Sequence, residues 1–334
     1  MKNVIGILCV VLLLFQSYEV NAAESDTQKA VLITGATTGI GRVAAEHLAA
    51  NGYFVYAGAR KASDIEELNK IENIQAVRLD VTIQEEIDAA VEHIQSEGRG
   101  LWGLVNNAGV NVVGPLIEFD DDDFDFLFDV NVKGVFSVTK AFAPLIIESQ
   151  GRIVNISSVS GIGTGAAYGP YSMTKHAIEA FTDALKEELE VTGVSVAGVE
   201  PGNYSSAIGL TRCKRMLAKA DAGASQYWAE LMKDHIDYCK ERISPDYESS
   251  APEPVAVAAA VEHALFAAEP RAKYLVTPSR GAAGWITWSL VADLLDYNTD
   301  AEYGFTRDEI IDLLDREIAF RAGDETAFDD LIDE

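Results

Sequence analysis

A short apolar run, Lys29-Ala-Val-Leu-Ile-Thr34, passes directly into Thr34-Gly-Ala-Thr-Thr-Gly-Ile-Gly41, and Val43, Ala44, Leu48 and Ala49 then recur at helical spacing. Strand, glycine turn and helix in that order form a cradle for a phosphate. Glycines let the backbone approach a bulky anion, and the unpaired amides of a helix start point at it. The spacing Gly35, Gly39, Gly41 differs from the G-x-G-x-x-G of the common dinucleotide fingerprint. Three further strands follow, Tyr53 to Ala57, Ile74 to Leu79 and Leu101 to Val105, with helical stripes such as Ile87, Val91 and Ile94 between them. That alternation predicts an α/β doubly wound fold, a parallel sheet of about seven strands with helices on both faces.

In such folds ligands meet the carboxyl ends of the strands, so the residues there carry the argument. The second strand runs out into Gly58-Ala59-Arg60-Lys61, with no acid where an NAD site places a carboxylate on the ribose. Arginine there suits the 2′-phosphate of NADP(H), which makes NADP(H) the expected cofactor with Arg60 as its contact and NAD(H) the second choice. The third strand ends at Asp80-Val81, where Asp80 is placed to accept from an adenine amine. The fourth ends at Asn106-Asn107-Ala108-Gly109, where the Asn107 amide can tie neighbouring strands together. Each is also an ordinary turn residue.

Downstream, Tyr171-Ser-Met-Thr-Lys175 sets a phenol and an ammonium four residues apart on one helix face. Pro170 suits the first turn of that helix, and Ala177, Ile178, Phe181, Ala184, Leu185 and Leu189 continue its apolar stripe. A free tyrosine titrates near about 10; a neighbouring cation and a helix start both favour the phenolate and should lower that value. Gly151 to Ser157 reads as a strand, so Ser158 emerges at its carboxyl end, where it can face Tyr171 across a substrate carbonyl.

Together these motifs resemble the classical branch of the short-chain dehydrogenase/reductase family. Thr34-Gly-x-x-x-Gly-Ile-Gly41, Asp80-Val81, Asn106-Asn107-Ala-Gly109, Asn131, Ser158, Tyr171-x-x-x-Lys175 and Pro201-Gly202 follow its order and spacing from about Lys29 to Pro278. The resemblance implies a Rossmann fold and an enzyme that interconverts alcohol and carbonyl. It makes Tyr171 the general acid/base, Lys175 the group that lowers its pKa and holds the nicotinamide ribose, Ser158 the binder of the reacting oxygen, and Asn131 the support of a proton relay. Gly35, Thr38, Gly39, Ile40, Gly41, Asp80, Val81, Asn107, Ala108, Gly109, Pro201 and Gly202 are then cofactor contacts. Ser206 stands where the family commonly has threonine and should still reach the cofactor. Tyr168 resembles the tyrosine of the enoyl-reductase branch, but that branch expects methionine where Tyr171 stands, so Tyr168 is set aside. A nucleotide-sugar epimerase or dehydratase shares Tyr-x-x-x-Lys but spaces its glycine turn differently. A nonenzymatic NADP(H)-binding protein needs none of the four catalytic types together.

Residues 1–23 read as a signal peptide or anchor: Lys2, the twelve-residue apolar run Val4 to Phe15, then small residues. Export to the secretory pathway or a periplasm is expected, with membrane anchoring as the alternative. Residues 29–280 form the catalytic domain, with a substrate lid about 203–252, and 281–334 a helical extension. The lid residues Ile208, Leu210, Met216, Leu217, Tyr227, Trp228, Leu231, Met232, Ile236 and Tyr238 suit a lipophilic alcohol or ketone, steroid- or retinoid-like in the wording of nearby motifs, or else cap the core. Trp285, Ile286, Trp288, Leu290, Val291, Leu294 and Leu295 are expected to pack on the core. A net charge of −27 argues against nucleic acid and anionic membrane as partners. Membrane contact is left to the N-terminal segment, and a homo-oligomer, dimer or tetramer, is expected. Asp120 to Asp123 crowd a helix start, where anions are favoured, and no metal site is expected. Cys213 and Cys239 could pair in an oxidising compartment.

Overall fold

Seven strands pair in parallel in the order β3-β2-β1-β4-β5-β6-β7, from Ala30–Ile33 (β1), Phe54–Ala59 (β2), Ile74–Arg78 (β3), Gly103–Asn106 (β4), Arg152–Ile156 (β5), Ser195–Pro201 (β6) and Lys273–Val276 (β7). The structure, a computed structural model, describes residues 28–220, 225–299 and 304–324. The expected leader at 1–23 lies outside the described residues. Chain order reverses between β1 and β4, which opens a crevice at their carboxyl ends.

Alternation along each strand builds a core on either face. Val31 and Ile33 of β1 join Ala44, Ala45 and Leu48 of α1 (Gly39–Ala50) and Val257, Val261 and Leu265 of α9 (Val255–Phe266). Ala30 and Leu32 turn the other way, to Ile87 and Ile94 of α3 (Gln84–Ser96) and Phe142 and Ile146 of α5 (Gly134–Glu148). The second face also carries α6 (Gly169–Glu190). The short α2 (Ala62–Leu68) leads into β3. Several strand ends differ from expectation by a residue or two. Strand β2 runs on to Ala59 because Gly58 and Ala59 stay paired with Val77 and Arg78 of β3, which makes Arg60 the first residue beyond the ladder.

Asp120 caps α4 (Asp121–Phe128) by accepting from the Asp123 amide. Asp123 does more than sit in that first turn. It is buried and held by Arg215 and by Lys219, the latter at 2.5 Å. Both cations belong to α7 (Ala207–Ala220), so the acidic run clasps the lid. A second lid helix, α8 (Ala229–Arg242), is joined to α7 by a disulfide between Cys213 and Cys239. Met216, Leu217, Met232 and Ile236 pack around that bridge together with Val113 and Tyr168, so this small core ties the two helices to the loop after β4 and the start of α6.

After β7, α10 (Arg280–Tyr297) lies mostly in the open: only Ile286 is buried, and Trp288 is 65% exposed. The expected packing of this segment on the core is therefore corrected. Its apolar residues run all round the helix, whereas one stripe alone can face the sheet. A last helix, α11 (Arg307–Arg321), starts on the capping box of Thr306 and Glu309.

Candidate active site

The glycine turn is shaped by two residues in the left-handed region, Gly35 at φ +65° and Gly39 at φ +56°. A Cβ on Gly39 would stand 2.9 Å from Ser206 Cβ, so the start of the lid crosses directly over the turn. Gly41 faces inward instead, where a Cβ would collide with the Asn107 side chain. Thr34 Oγ1 accepts from the amides of Asn107 (3.0 Å) and Ala108 (2.9 Å), and the Asn107 side chain donates to the Thr34 and Gly35 carbonyls at 2.9 and 3.1 Å. These bonds lock the ends of β1 and β4 together. Helix α1 starts with no side-chain cap and no acid in its first turn, in a chain with 53 acidic residues, so its amides keep their positive field. The site therefore fits a dinucleotide pyrophosphate.

Nearly all the expected residues line one cavity of about 780 Å³: Gly35, Thr38, Gly39, Ile40, Arg60, Asp80, Val81, Asn107, Ala108, Gly109, Ser158, Tyr171, Lys175, Pro201, Gly202 and Ser206. Gly41 and Asn131 stand behind its wall. Asn131 lies in a single π-helical segment, Asp129–Lys133, between α4 and α5. Its side chain accepts from the Val110 amide at 2.8 Å and donates to the Val110 carbonyl and to Thr174. What it does visibly is hold the strand end that carries Gly109.

At the far end of the crevice, Arg60 Nη1 reaches Asp80 at 3.5 Å, with the Arg60 side chain 63% exposed. Burial raises the Asp80 carboxyl, but bonds from Thr82 and the charge of Arg60 outweigh it and hold the group below its ordinary value.

At the near end, Tyr171 and Lys175 project from the first turns of α6, and both are buried. Lys175 Nζ donates to the Ile156 carbonyl at 2.9 Å and lies 5.9 Å from the Tyr171 ring centre. The expected lowering of the phenol is not what this environment produces. Burial raises Tyr171 to about 12, against a bond with Ser158 and the charge of Arg212, which both pull down. Burial likewise lowers Lys175 to about 8, with Glu179 opposing. Desolvation penalises the charged form of each and exceeds the pull of Ser158 and Arg212 on the phenol and of Glu179 on the lysine. Ser157 also borders the cavity, but its hydroxyl donates to the Lys175 carbonyl at 3.5 Å.

Lid and loop residues that sequence patterns did not single out complete the cavity: Asn111, Val159, Thr211, Arg212, His235 and Arg242. Tyr168, set aside on sequence, lines it too. Its position three residues before Tyr171 on the same helix start was the available signal. Of the expected apolar lid residues only Ile208 and Tyr238 reach the cavity.

A phosphate cradle and a buried phenol thus open into one crevice, the requirement for moving a hydride and a proton in concert. The class is that of NAD(P)-dependent oxidoreductases acting on CH–OH groups. The profile of the family described as short chain dehydrogenase matches residues 29–215, and the chain belongs to that family. It is 38% identical over 264 residues to the mitochondrial D-beta-hydroxybutyrate dehydrogenase of Bos taurus, covering 74% of this chain and 76% of that one. It is 34% identical to retinol dehydrogenase 16 of Homo sapiens, covering 77% and 81%. Among solved structures, a short-chain dehydrogenase from Streptomyces avermitilis superposes with a TM-score of 0.67 at 27% identity, over 82% of this chain and 97% of the other.

Proposed function

We propose that the chain interconverts an alcohol and its carbonyl with NADP(H) as preferred cofactor, and that Tyr171 carries the proton. The observation behind the proton role is the buried Tyr171 phenol, which Ser158 at the mouth of β5 influences, in the same cavity as the glycine cradle. Gly35, Thr38, Gly39 and Ile40 would hold the pyrophosphate, Asp80 and Val81 the adenine, and Asn107 to Gly109 with Pro201, Gly202 and Ser206 the nicotinamide half. When bound, the cofactor supplies the hydride carrier. Ser158 orients the substrate oxygen, and Tyr171 delivers or removes its proton at the phenolic oxygen. A phenol raised to about 12 is fully protonated at neutrality and so stands ready as an acid for reduction. For oxidation it must be drawn down by positive charge, which Lys175 and Arg212 can supply. Asn131 positions Gly109 and thereby the floor under Lys175.

Preference for NADP(H) rests on Arg60. It is the first residue past β2, it is mostly exposed, and its one recorded acid contact is long. The substrate is a small alcohol or ketone. The relatives' names divide between a hydroxy acid, β-hydroxybutyrate, and a lipophilic alcohol, retinol. A lipophilic body finds support in Ile208, Val159 and the faces of Tyr168 and Tyr238, while the other lid apolar residues mostly serve the lid core. The Cys213–Cys239 bridge supports an oxidising compartment, in keeping with the leader-like residues 1–23.

Replacing Tyr171 by phenylalanine tests the proton role. NADPH should bind as before, read by its fluorescence, while turnover of a panel of ketones and hydroxy compounds falls by about 10²- to 10⁴-fold. Unchanged turnover would refute the reading.

A further inference from the structure

Arg212 is a cation in the wall of the cavity with no acid partner among the described residues. Its Nη1 donates to the Tyr168 hydroxyl at 2.7 Å, and its guanidinium lies 5.7 Å and 5.9 Å from the ring centres of Tyr168 and Tyr238. Its Nε is buried and has no acceptor. On the same helix Arg215 and Lys219 both find Asp123. No carboxylate among the described residues pairs with Arg212, in a chain with 53 acids against 26 lysines and arginines.

We propose that Arg212 receives a carboxylate of the substrate, so that the chain acts on a hydroxy acid and its oxo acid. The inference rests on the dehydrogenase reading of the site and narrows its substrate. A buried N–H without an acceptor is unfavourable, and a planar carboxylate is the ligand that a guanidinium fork fits best. Aromatic rings beside the guanidinium hold it in place before the ligand arrives. His235, against the Tyr168 ring, is pushed down by burial and by Arg212, so it presents a neutral imidazole and leaves the pocket's charge to the arginine. Position selects the substrate and not the cofactor. Arg212 is bonded to Tyr168, one helical turn from Tyr171, and its charge acts on the Tyr171 phenol. Arg242, a further guanidinium in the cavity wall whose Nε is likewise buried without an acceptor among the described residues, sits instead at the Ser206 carbonyl beside Gly39, at the cofactor end, where Arg60 also lies farther along. In the oxidative direction the carbinol carbon would give a hydride to the oxidised nicotinamide and its hydroxyl a proton to Tyr171 in its ionised, phenolate form. The C–O bond becomes a carbonyl, the cofactor is reduced, and the carboxylate is unchanged.

The experiment compares short 2- and 3-hydroxy acids with their methyl esters, which keep the carbinol and lose the charge. The wild type should favour the best acid over its ester by about 100-fold in kcat/KM. Arg212→Leu should cost the acid about 100-fold more than the ester, because the lost charge at the Tyr171 phenol falls on both substrates and the lost carboxylate partner on the acid alone, with Arg212→Lys restoring part of the difference. Acid and ester turned over alike by the wild type, or lost alike in Arg212→Leu, would overturn the carboxylate site while the dehydrogenase reading stood. That reading is judged separately by Tyr171→Phe. If no acid or ester is turned over, butyrate decides. It should raise the melting temperature of the wild type and not of Arg212→Leu, and equal shifts or none would overturn the proposal.

Discussion

Lys175 Nζ donates to the Ile156 carbonyl at 2.9 Å, so the ammonium of the Tyr-Lys pair is tied to the last residue of β5 and not to the phenol one turn earlier on its own helix. This anchors α6 to the strand that delivers Ser158. It also takes a charge out of water, which is why the lysine falls to about 8.

That shift gives a signed dependence on pH. The folded value lies below the ordinary 10.5, so the native state gives up this proton first. The stability contribution is fully present above pH 10.5 and is lost as pH falls through 8; it is on the order of 3 kcal/mol. Tyr171 acts in the next window with opposite sign, its contribution present below pH 10 and lost as pH rises through about 12. Denaturant titrations without added cofactor, at about pH 7.5 and about pH 9.5, should show the wild type gaining on Lys175→Met in the alkaline sample. Parallel behaviour of the two proteins would contradict the burial argument.

Arg60 should sort the two nicotinamide cofactors. Arg60→Ala is expected to weaken NADPH by about tenfold and NADH by less than about threefold, since only the former carries a 2′-phosphate for the guanidinium. Fluorescence titration with each reads this directly. An equal effect on both would remove Arg60 from cofactor choice. The Arg60–Asp80 contact is exposed and long, so the melting temperature should barely move.

The lid clasp is open to test at Asp123. Asp123→Ala leaves Arg215 and Lys219 without their shared buried acid. KM for any turned-over substrate should rise by about tenfold while kcat changes little, because the lid loses closure energy and the proton machinery is untouched. Hydrogen exchange should quicken in α7 and stay slow in β1 and β4. Unaltered exchange in α7 would show that the clasp does not hold the lid.

Much of this site could be read from the chain because its parts are local. The glycine turn, the Arg60 strand end and Tyr171-x-x-x-Lys175 are each a few residues long and sit at the ends of strands or the start of a helix with plain apolar patterns. The Asn107 tie was also foreseen, since the ends of β1 and β4 must meet at the crevice. Pairings distant in sequence were not visible. Asp123 and Arg215 are 92 residues apart, Arg212 and Tyr168 are 44, and no periodicity announces either. The direction of the Tyr171 shift was misjudged for a related reason: spacing reveals the neighbouring cation, whereas burial depends on everything packed around the pair.

Removing the disulfide should act on the lid more than on the sheet. In the chain-entropy picture, a bridge across a separation of 26 residues is worth about 3 to 4 kcal/mol. A Cys213→Ala, Cys239→Ala protein should show faster exchange in α7 and α8, with the sheet amides little changed. Loss of protection across the whole sheet would mean that the lid core is part of the global fold.

The Cys213–Cys239 bridge joins the two lid helices to each other and neither of them to the sheet. Were these helices to close over a substrate as the sequence leads one to expect, the staple would let them move as one plate and spare the cost of ordering two loose helices.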